Sequence, residues 1–358
     1  MHYTVQSGDT LWLIAQRFRH DYRAIAQANS IEEPYDVRPG QVLHIPRKHR
    51  LIGFVPDYAV AEGIADALAS PEPFNEIIYT FIRIQPDGTV RAAALDRALQ
   101  ILRARRTRVL AGVTNQSDAT YSREAVTATL LADDSRSHLA ASIVEAVTTC
   151  CLDGVCIDFQ QIDADHWAML PKLACEIRSR FTRLSPYYTI AIVFPHDWRD
   201  HGLDLACMAQ YADLMIMEGY EKGADSVEGP PTPVSWLEEN VKAAIDKIGT
   251  GKLTVALGIY GLDWTDDEGA AYLRVEAAER ISRETGALIK RDQHDGTSGF
   301  VYHDASGRLH RVWYEDLMSL AVKLDTISRL GINKIAIWRL GAIPYDSLSL
   351  VAQAGMWS

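Results

Sequence analysis

The length, composition and charge of this chain indicate a globular protein with one large domain and room for a second, smaller one. The sequence has 358 residues, of which 47% are hydrophobic, and a formal net charge of −11, so it can build a sizeable core. The acidic balance, without a basic run, argues against a nucleic-acid partner. No apolar run approaches the roughly 20 residues that span a bilayer, so we expect no membrane contact.

Processing signals and metal-binding patterns are absent from the sequence. The first residues lead directly into a folded motif, so we expect no classical signal peptide. The five cysteines are odd in number and Cys150 and Cys151 are adjacent, which favours buried free thiols over disulfides. The two histidines within residues 196–201 lack a second cluster of ligands, so we expect a solvated loop, and neither a metal nor a cofactor.

Residues 1–46 have the pattern of a strand, two helices and a strand. Asp9 or Thr10 can cap the first helix, and Pro39-Gly40 turns the chain into the last strand. The segment resembles a LysM module in three stretches, Tyr3-Thr4-Val5, Gly8-Asp9-Thr10-Leu11 and Pro39-Gly40-Gln41-Val42-Leu43-His44-Ile45-Pro46. This resemblance implies binding to N-acetylglucosamine polymers, peptidoglycan or chitin. The alternative is a small βααβ domain that only caps the larger one. Residues 47–50 are predicted to be a polar linker.

Residues 51–358 alternate apolar strands with helical stretches, which is typical of parallel βα units. Eight strands are predicted, at Leu51–Val55, Glu76–Ile82, Arg108–Thr114, Gly154–Phe159, Tyr188–Phe194, Asp213–Glu218, Leu253–Ile259 and Lys334–Arg339. Helices are predicted at Asp96–Arg105, Arg123–Cys150, Asp165–Phe181, Trp236–Ile248 and Asp316–Arg329. Eight units favour an α/β fold of the (β/α)₈ TIM-barrel type. The alternative, a doubly wound sheet, lacks its glycine fingerprint after the first strand.

The connection between strands seven and eight is too long for an ordinary βα loop. We predict a small α+β insertion there, at residues 265–315. It would contain a helix near Asp266–Thr285 and a hairpin over residues 299–314 that turns at Ser306-Gly307.

The predicted fourth strand carries a candidate catalytic pair. Asp158 and Gln160 lie two residues apart, so they project to the same side at the carboxyl end of the strand. The segment resembles the glycoside hydrolase family 18 signature, Asp-Gly-x-x-x-Asp-x-Glu, because Asp153, Gly154 and Asp158 match it. Gln160 stands where the family has its acid Glu. The whole chain resembles the spore-cortex-lytic branch of that family, in which LysM modules precede the barrel.

The other predicted strands also end in polar and aromatic residues, where barrel enzymes place their sites. One such aromatic residue alone is more often core than ligand. Gathered at one end of a barrel, however, aromatic faces predict a surface that stacks on sugar rings. The candidate substrate-binding residues are Asp57, Tyr58, Asn115, Phe194, Glu218, Glu221, Tyr260, Trp264, Trp338 and Arg339.

The resemblance implies a substrate-assisted mechanism, in which the acetamido oxygen of the sugar attacks the anomeric carbon and configuration is retained. It gives Gln160 the position of the acid, Asp158 the orientation of the acetamide, and Tyr220 a hydrogen bond to the acetamide carbonyl. Trp338 would form the floor under the sugar. The usual Met-x-Tyr-Asp is altered here to Glu218-Gly219-Tyr220-Glu221.

Gln160 limits the activity that the sequence predicts, because a primary amide has no proton to donate near neutral pH. The chain is therefore expected to be an impaired N-acetylglucosaminidase or chitinase, in the form of a Glu→Gln variant that traps its substrate. One alternative is a natural, non-catalytic protein that binds cell-wall glycan, and another is a hydrolase of a different polysaccharide. A displaced acid at Glu218 is a further possibility. The resemblance also implies a bacterial protein of the spore coat, cortex or cell wall. We expect it to be a monomer.

Overall fold

The computed structural model describes residues 2–18, 22–45, 50–71, 73–87, 89–92, 98–105, 107–117, 120–222, 228–292 and 295–353. Most of the predicted linker, residues 47–49, lies outside the described residues, as do residues 96 and 97 of a predicted helix. Arg50, predicted to end the linker, begins the first strand of the barrel.

The N-terminal segment folds as the predicted βααβ unit. Strand β1 (His2–Thr4) pairs antiparallel with β2 (Val42–His44), and helices α1 (Leu11–Phe18) and α2 (Tyr22–Ala28) connect them. The Leu13 amide donates a hydrogen bond to Thr10 Oγ1 at 3.2 Å, so Thr10 caps α1. The unit has a hydrophobic core of its own, formed by Val5, Leu11, Ile14, Ala15, Ile25, Ala26, Leu43 and Ile45.

Eight parallel strands close into a barrel, which confirms the predicted fold class and excludes the doubly wound sheet. They are β3 (Arg50–Pro56), β4 (Glu76–Ile84), β6 (Arg108–Thr114), β9 (Gly154–Asp158), β10 (Thr189–Phe194), β11 (Leu214–Glu218), β12 (Leu253–Gly258) and β18 (Lys334–Trp338). Each strand pairs with the next, and β18 pairs with β3 to complete the circle. Three short strands, β5 (Val90–Ala92), β7 (Gln116–Ser117) and β8 (Thr120–Tyr121), lie outside this circle.

Alternation along each strand separates an inner from an outer layer of side chains. The barrel interior is filled by one cluster of small and medium apolar residues, Ile52, Phe54, Ile78, Leu110, Cys156, Ala191, Val193, Leu214, Ile216, Ala256 and Ala336. Because the side-chain period of a strand is two, Asp158 follows Cys156 on the inner face, and Glu218 follows Ile216. The same periodicity turns Phe194 outward, toward the helices.

The helices around the barrel are α3 (Val60–Ala69), α4 (Ala98–Ala104), α5 (Arg123–Leu130), α6 (Asp133–Thr149), α7 (Ala164–Leu184), α8 (Leu205–Tyr211), α9 (Val234–Lys252), α11 (Leu317–Arg329) and α12 (Tyr345–Gln353). The single helix predicted over residues 123–150 is wrong. Extended backbone at Ala132 breaks it, and Asp133 and Asp134 then supply negative charge to the first turn of α6. No helix within the described ranges is long and apolar enough to cross a bilayer.

The insertion between β12 and β18 is an antiparallel sheet with one helix. Its elements are β13 (Gly261–Thr265), β14 (Gly269–Leu273), α10 (Val275–Thr285), β15 (Lys290–Arg291), β16 (Ser298–His303) and β17 (Leu309–Tyr314). The predicted β16–β17 hairpin is confirmed. The predicted start of the helix at Asp266 is wrong, because a turn that ends at Gly269, with φ +74°, sends residues 269–273 back along β13.

Candidate active site

The carboxyl ends of β9 and β11 bring three side chains together inside the mouth of the barrel. The side-chain nitrogen of Gln160 donates hydrogen bonds to Asp158 Oδ1 and to Glu218 Oε1, both at 2.7 Å. Asp158 and Glu218 are 7% and 8% exposed, so this contact is largely shielded from solvent. The two hydrogens of the Gln160 side-chain amide thus link the carboxyl groups of Asp158 and Glu218.

Asn115, at the end of β6, fixes the backbone of residue 160. Its Oδ1 accepts from the Gln160 amide and its Nδ2 donates to the Gln160 carbonyl, each at 2.9 Å. Asn115 is fully buried. Its side chain therefore positions the backbone of residue 160, and its burial corrects the prediction that it contacts a sugar directly.

Burial and neighbouring negative charge change the acidity of both carboxyl groups. Burial, together with the charge of Glu221, raises the pKa of Asp158 to about 6, although the hydrogen bond from Gln160 opposes this rise. Burial, followed by the charges of Glu221 and Asp158, raises the pKa of Glu218 well above its ordinary value. Both carboxyl groups therefore hold a proton to a higher pH than an exposed carboxyl group does.

Aromatic rings from three strands form the wall of the mouth beside these acids. The Tyr220 and Trp338 rings lie nearly parallel, with centroids 6.5 Å apart, and Phe54 meets Trp338 edge-on at 5.6 Å. The Tyr220 hydroxyl donates to Glu218 Oε1 at 3.4 Å. This arrangement places an aromatic face and a hydroxyl group next to Glu218.

The rim of the mouth is polar. The Arg339 guanidinium lies 5.0 Å from the centre of the Tyr58 ring, which is 59% exposed, a distance typical of cation–π contacts. Asp57 forms an ion pair with Arg83 at 2.8 Å. Tyr58 is thus available to a ligand, whereas the Asp57 carboxylate already has a cationic partner.

The insertion reaches the same mouth through β14. The Tyr272 hydroxyl donates to Glu221 Oε1 at 3.2 Å, and the Tyr272 ring lies 5.3 Å from that of Tyr260. Tyr272 was not predicted as a site residue, because its strand was assigned to a helix. Tyr121 was missed as well. Burial, followed by the charges of Asp158 and Glu218, raises the pKa of Tyr121.

Residues 50–342 match the family model described as "Glycosyl hydrolases family 18", and residues 3–46 match that of the LysM domain. The chain belongs to family 18 of the glycosyl hydrolases. It is an enzyme of that family by this match, and its N-terminal unit is a LysM domain.

Two relatives and one solved structure illustrate the similarity. The chain is 26% identical over 358 residues to YdhD of Bacillus subtilis, whose name describes a sporulation-specific glycosylase, covering 94% of this chain and 84% of YdhD. It is 25% identical over 316 residues to the cortical fragment-lytic enzyme of the same organism, covering 82% and 71%. Its fold matches the crystal structure of the spore cortex-lytic enzyme SleL from Bacillus megaterium QM B1551 with a TM-score of 0.73, at 21% identity, covering 99% and 86% of the two chains.

The first half of the family 18 signature is structural in this chain. Asp153 Oδ2 accepts from the Val109 amide at 2.8 Å, which ties β9 to β6. Gly154 has φ +152°, and a Cβ there would lie 2.1 Å from the Thr189 carbonyl oxygen. Asp153 and Gly154 of the signature therefore fix the start of β9, and the polar side chains of the signature, Asp158 and Gln160, lie at its other end.

Two residues that were predicted to contact a sugar, Phe194 and Trp264, are buried. Phe194 is completely buried between the barrel and its helices, where it meets Trp198 edge-on at 6.4 Å. This corrects the prediction that Phe194 lines the cleft. Trp264 is 6% exposed within the insertion sheet. Among the described residues, no group of three or more histidine, cysteine or acidic side chains could hold a metal ion.

Proposed function

We propose that this chain cleaves β-linkages next to N-acetylglucosamine, with the acetamido oxygen of the substrate as nucleophile. The observation that carries the proposal is the buried Asp158 carboxyl group, which the Gln160 amide joins to Glu218 at the mouth of the barrel. The Tyr220 hydroxyl donates to Glu218 Oε1, and the Trp338 ring lies nearly parallel to that of Tyr220. Asp158 would orient the acetamide and stabilise the positive charge of the oxazolinium ion. Tyr220 would hold the acetamide carbonyl, and Trp338 would support the sugar ring.

We propose peptidoglycan as the glycan, in the spore cortex or cell wall of a bacterium. The LysM domain supports a polymer of N-acetylglucosamine, and the names of two relatives refer to sporulation and to cortical fragments. Chitin oligosaccharides share the acetamido sugar and would occupy the same cleft. The monomeric state stays a prediction.

Gln160 favours a second candidate, a glycan-binding protein with little or no turnover. Loss of a general acid typically lowers the rate by about 10²–10⁴-fold. The Gln160 amide is nevertheless well accommodated, because both of its hydrogens are bonded to carboxyl groups. We therefore propose that substrate binding is retained and that turnover is slower than with Glu at this position.

Binding and cleavage of acetylated and deacetylated oligosaccharides test the proposal. A hydrogen bond to a charged group is worth about 1.5–3 kcal/mol, so titration calorimetry should show about 10–100-fold weaker binding of the deacetylated form. Products released with retained configuration identify a hydrolase, whereas binding without products identifies the second candidate. Equal affinity for both forms would reject the role of the acetamide and favour another polysaccharide.

A further inference from the structure

A second carboxyl group, that of Glu218, lies next to the acid position of this site. Residue 160 offers no acidic proton, yet Glu218 Oε1 is 2.7 Å from its side-chain nitrogen. We propose that Glu218 donates the proton to the glycosidic oxygen and so supplies the turnover of this chain. The proposal rests on the function proposed above and assigns the one catalytic role that Gln160 leaves vacant.

The hydrogen bonds of Glu218 leave one oxygen available to carry that proton. Those described, from Gln160 and from Tyr220, both end on Oε1. Among the described residues, no hydrogen bond ends on Oε2. A protonated carboxyl group accepts at one oxygen and donates from the other, so this pattern fits the acid form of Glu218.

The amide at residue 160 also fits a site whose acid lies at Glu218. A glutamate in the same place would bring a third carboxyl group against Asp158 and Glu218, and like charges at this distance resist ionisation. The amide removes that repulsion and holds both carboxyl groups with its two hydrogens. Gln160 is then a positioning residue, which aligns the acid with the carboxylate that serves the acetamide.

Burial and neighbouring acids raise the pKa of both carboxyl groups. The pKa of Asp158 is about 6, and burial with two acidic neighbours raises the pKa of Glu218 well above its usual value. A buried carboxyl group with a raised pKa is the kind of group that serves as the proton donor of a glycosidase.

The proton transfer balances with the proposed chemistry. The proton moves from Glu218 Oε2 to the glycosidic oxygen while the bond from that oxygen to the anomeric carbon breaks. The acetamido oxygen forms the new bond to the anomeric carbon, and the leaving group departs as an alcohol. Water then bonds to the anomeric carbon while the bond from that carbon to the acetamido oxygen breaks, which restores the acetamide, and one proton of the water returns to the Glu218 carboxylate.

The experiment compares full-length wild type with Glu218→Gln on two substrates. A chito-oligosaccharide has a leaving group that needs a proton, whereas the dinitrophenyl glycoside of N,N′-diacetylchitobiose has one that does not. We expect kcat/KM for the oligosaccharide to fall by about 10²–10⁴-fold, with a much smaller loss on the aryl glycoside and with oligosaccharide affinity preserved. Glu239→Gln is the control, since Glu239 is 68% exposed in an ion pair with Arg199, and it should match wild type.

Several results would overturn the assignment. Equal losses on the two substrates would make Glu218 a structural or positioning residue, and no loss on either would remove it from the reaction. A wild-type protein that binds acetylated oligosaccharide but cleaves neither substrate would also overturn it, in favour of the glycan-binding candidate. Equal binding of deacetylated oligosaccharide would instead reject the proposed function itself.

Discussion

At the scale of single residues, the chemistry of the site depends on which groups at the mouth carry a proton. Gln160 differs from the glutamic acid of the family by an NH₂ group in place of the OH group on the side-chain carbonyl carbon. That change turns a proton donor into a group that links Asp158 to Glu218. Asn115 holds the backbone of Gln160, and the Tyr220 hydroxyl contacts Glu218. These contacts hold residue 160 and Glu218 in place.

We predict that Asp158→Asn stabilises the fold at neutral pH. The pKa of Asp158 is about 6 in the folded protein, against 3.8 for the ordinary group. The folded state therefore holds the proton more tightly, and the free energy of unfolding falls as the pH rises from about 4 to about 6. A difference of about two pH units corresponds to about 3 kcal/mol. Asparagine removes this loss and can still accept the hydrogen bond from Gln160.

Urea unfolding at pH 7 and below pH 4 measures this effect. Asp158→Asn should be more stable than wild type by up to about 3 kcal/mol at pH 7 and by much less below pH 4, because wild-type Asp158 is then protonated as well. Glu239→Gln should show no such pH dependence. A gain of the same size at both pH values would mean that the charge of Asp158 is not its cause.

At the scale of elements, a buried ion pair joins α11 to the segment that precedes it. Lys323 Nζ lies 2.6 Å from Glu315 Oε2, and both side chains are 2% exposed. The Ser319 hydroxyl donates to the same oxygen at 2.7 Å, and the Glu315 amide donates to the Tyr260 carbonyl at 3.0 Å. The pair thus joins α11 to the end of the seventh barrel strand, where Tyr260 enters the cleft.

We predict that Lys323→Met lowers the free energy of unfolding by about 3–5 kcal/mol, because it leaves the Glu315 charge buried without a cation. Chemical denaturation measures the loss. Lys242→Met is the matched control, since the pair of Lys242 with Glu238 is exposed and is worth less than about 1 kcal/mol. The double variant Lys323→Met with Glu315→Gln should recover part of the stability. Similar losses for the two lysines would refute the importance of burial.

At the scale of the whole molecule, a LysM domain precedes a barrel enzyme. The LysM domain has a core of its own, and its family match ends at residue 46 while that of the barrel begins at residue 50. The limits 1–46, 47–50 and 51–358, with an insertion at 265–315, stay predictions. Two binding units on one chain can act together on a polymer, whereas a short oligosaccharide engages one at a time.

We predict that removal of residues 1–46 weakens retention on insoluble peptidoglycan by about 10²-fold, the lower end of the gain expected from linked binding units. Cleavage or binding of short soluble oligosaccharides should be unchanged, since these occupy only the barrel. Sedimentation with purified sacculi measures the first effect, and calorimetry with a short oligosaccharide the second. Equal sedimentation of the two proteins would favour the alternative in which the small domain only caps the barrel.

The sequence by itself determined the eight strands, the βααβ unit and the common direction of Asp158 and Gln160 at the end of β9, because these follow from local periodicity and turn residues. Local signals were ambiguous where a turn interrupted a helical pattern, as at Ala132 and Gly269. Only the tertiary structure decided that Glu218 meets Gln160, from 58 positions away, and that Tyr272 reaches Glu221. Periodicity puts Phe194 on the opposite face from Ala191 and Val193, but only the tertiary structure decided that their face is the inner one. The physical reason is that contacts between strands depend on how the barrel closes, and no local pattern encodes that closure.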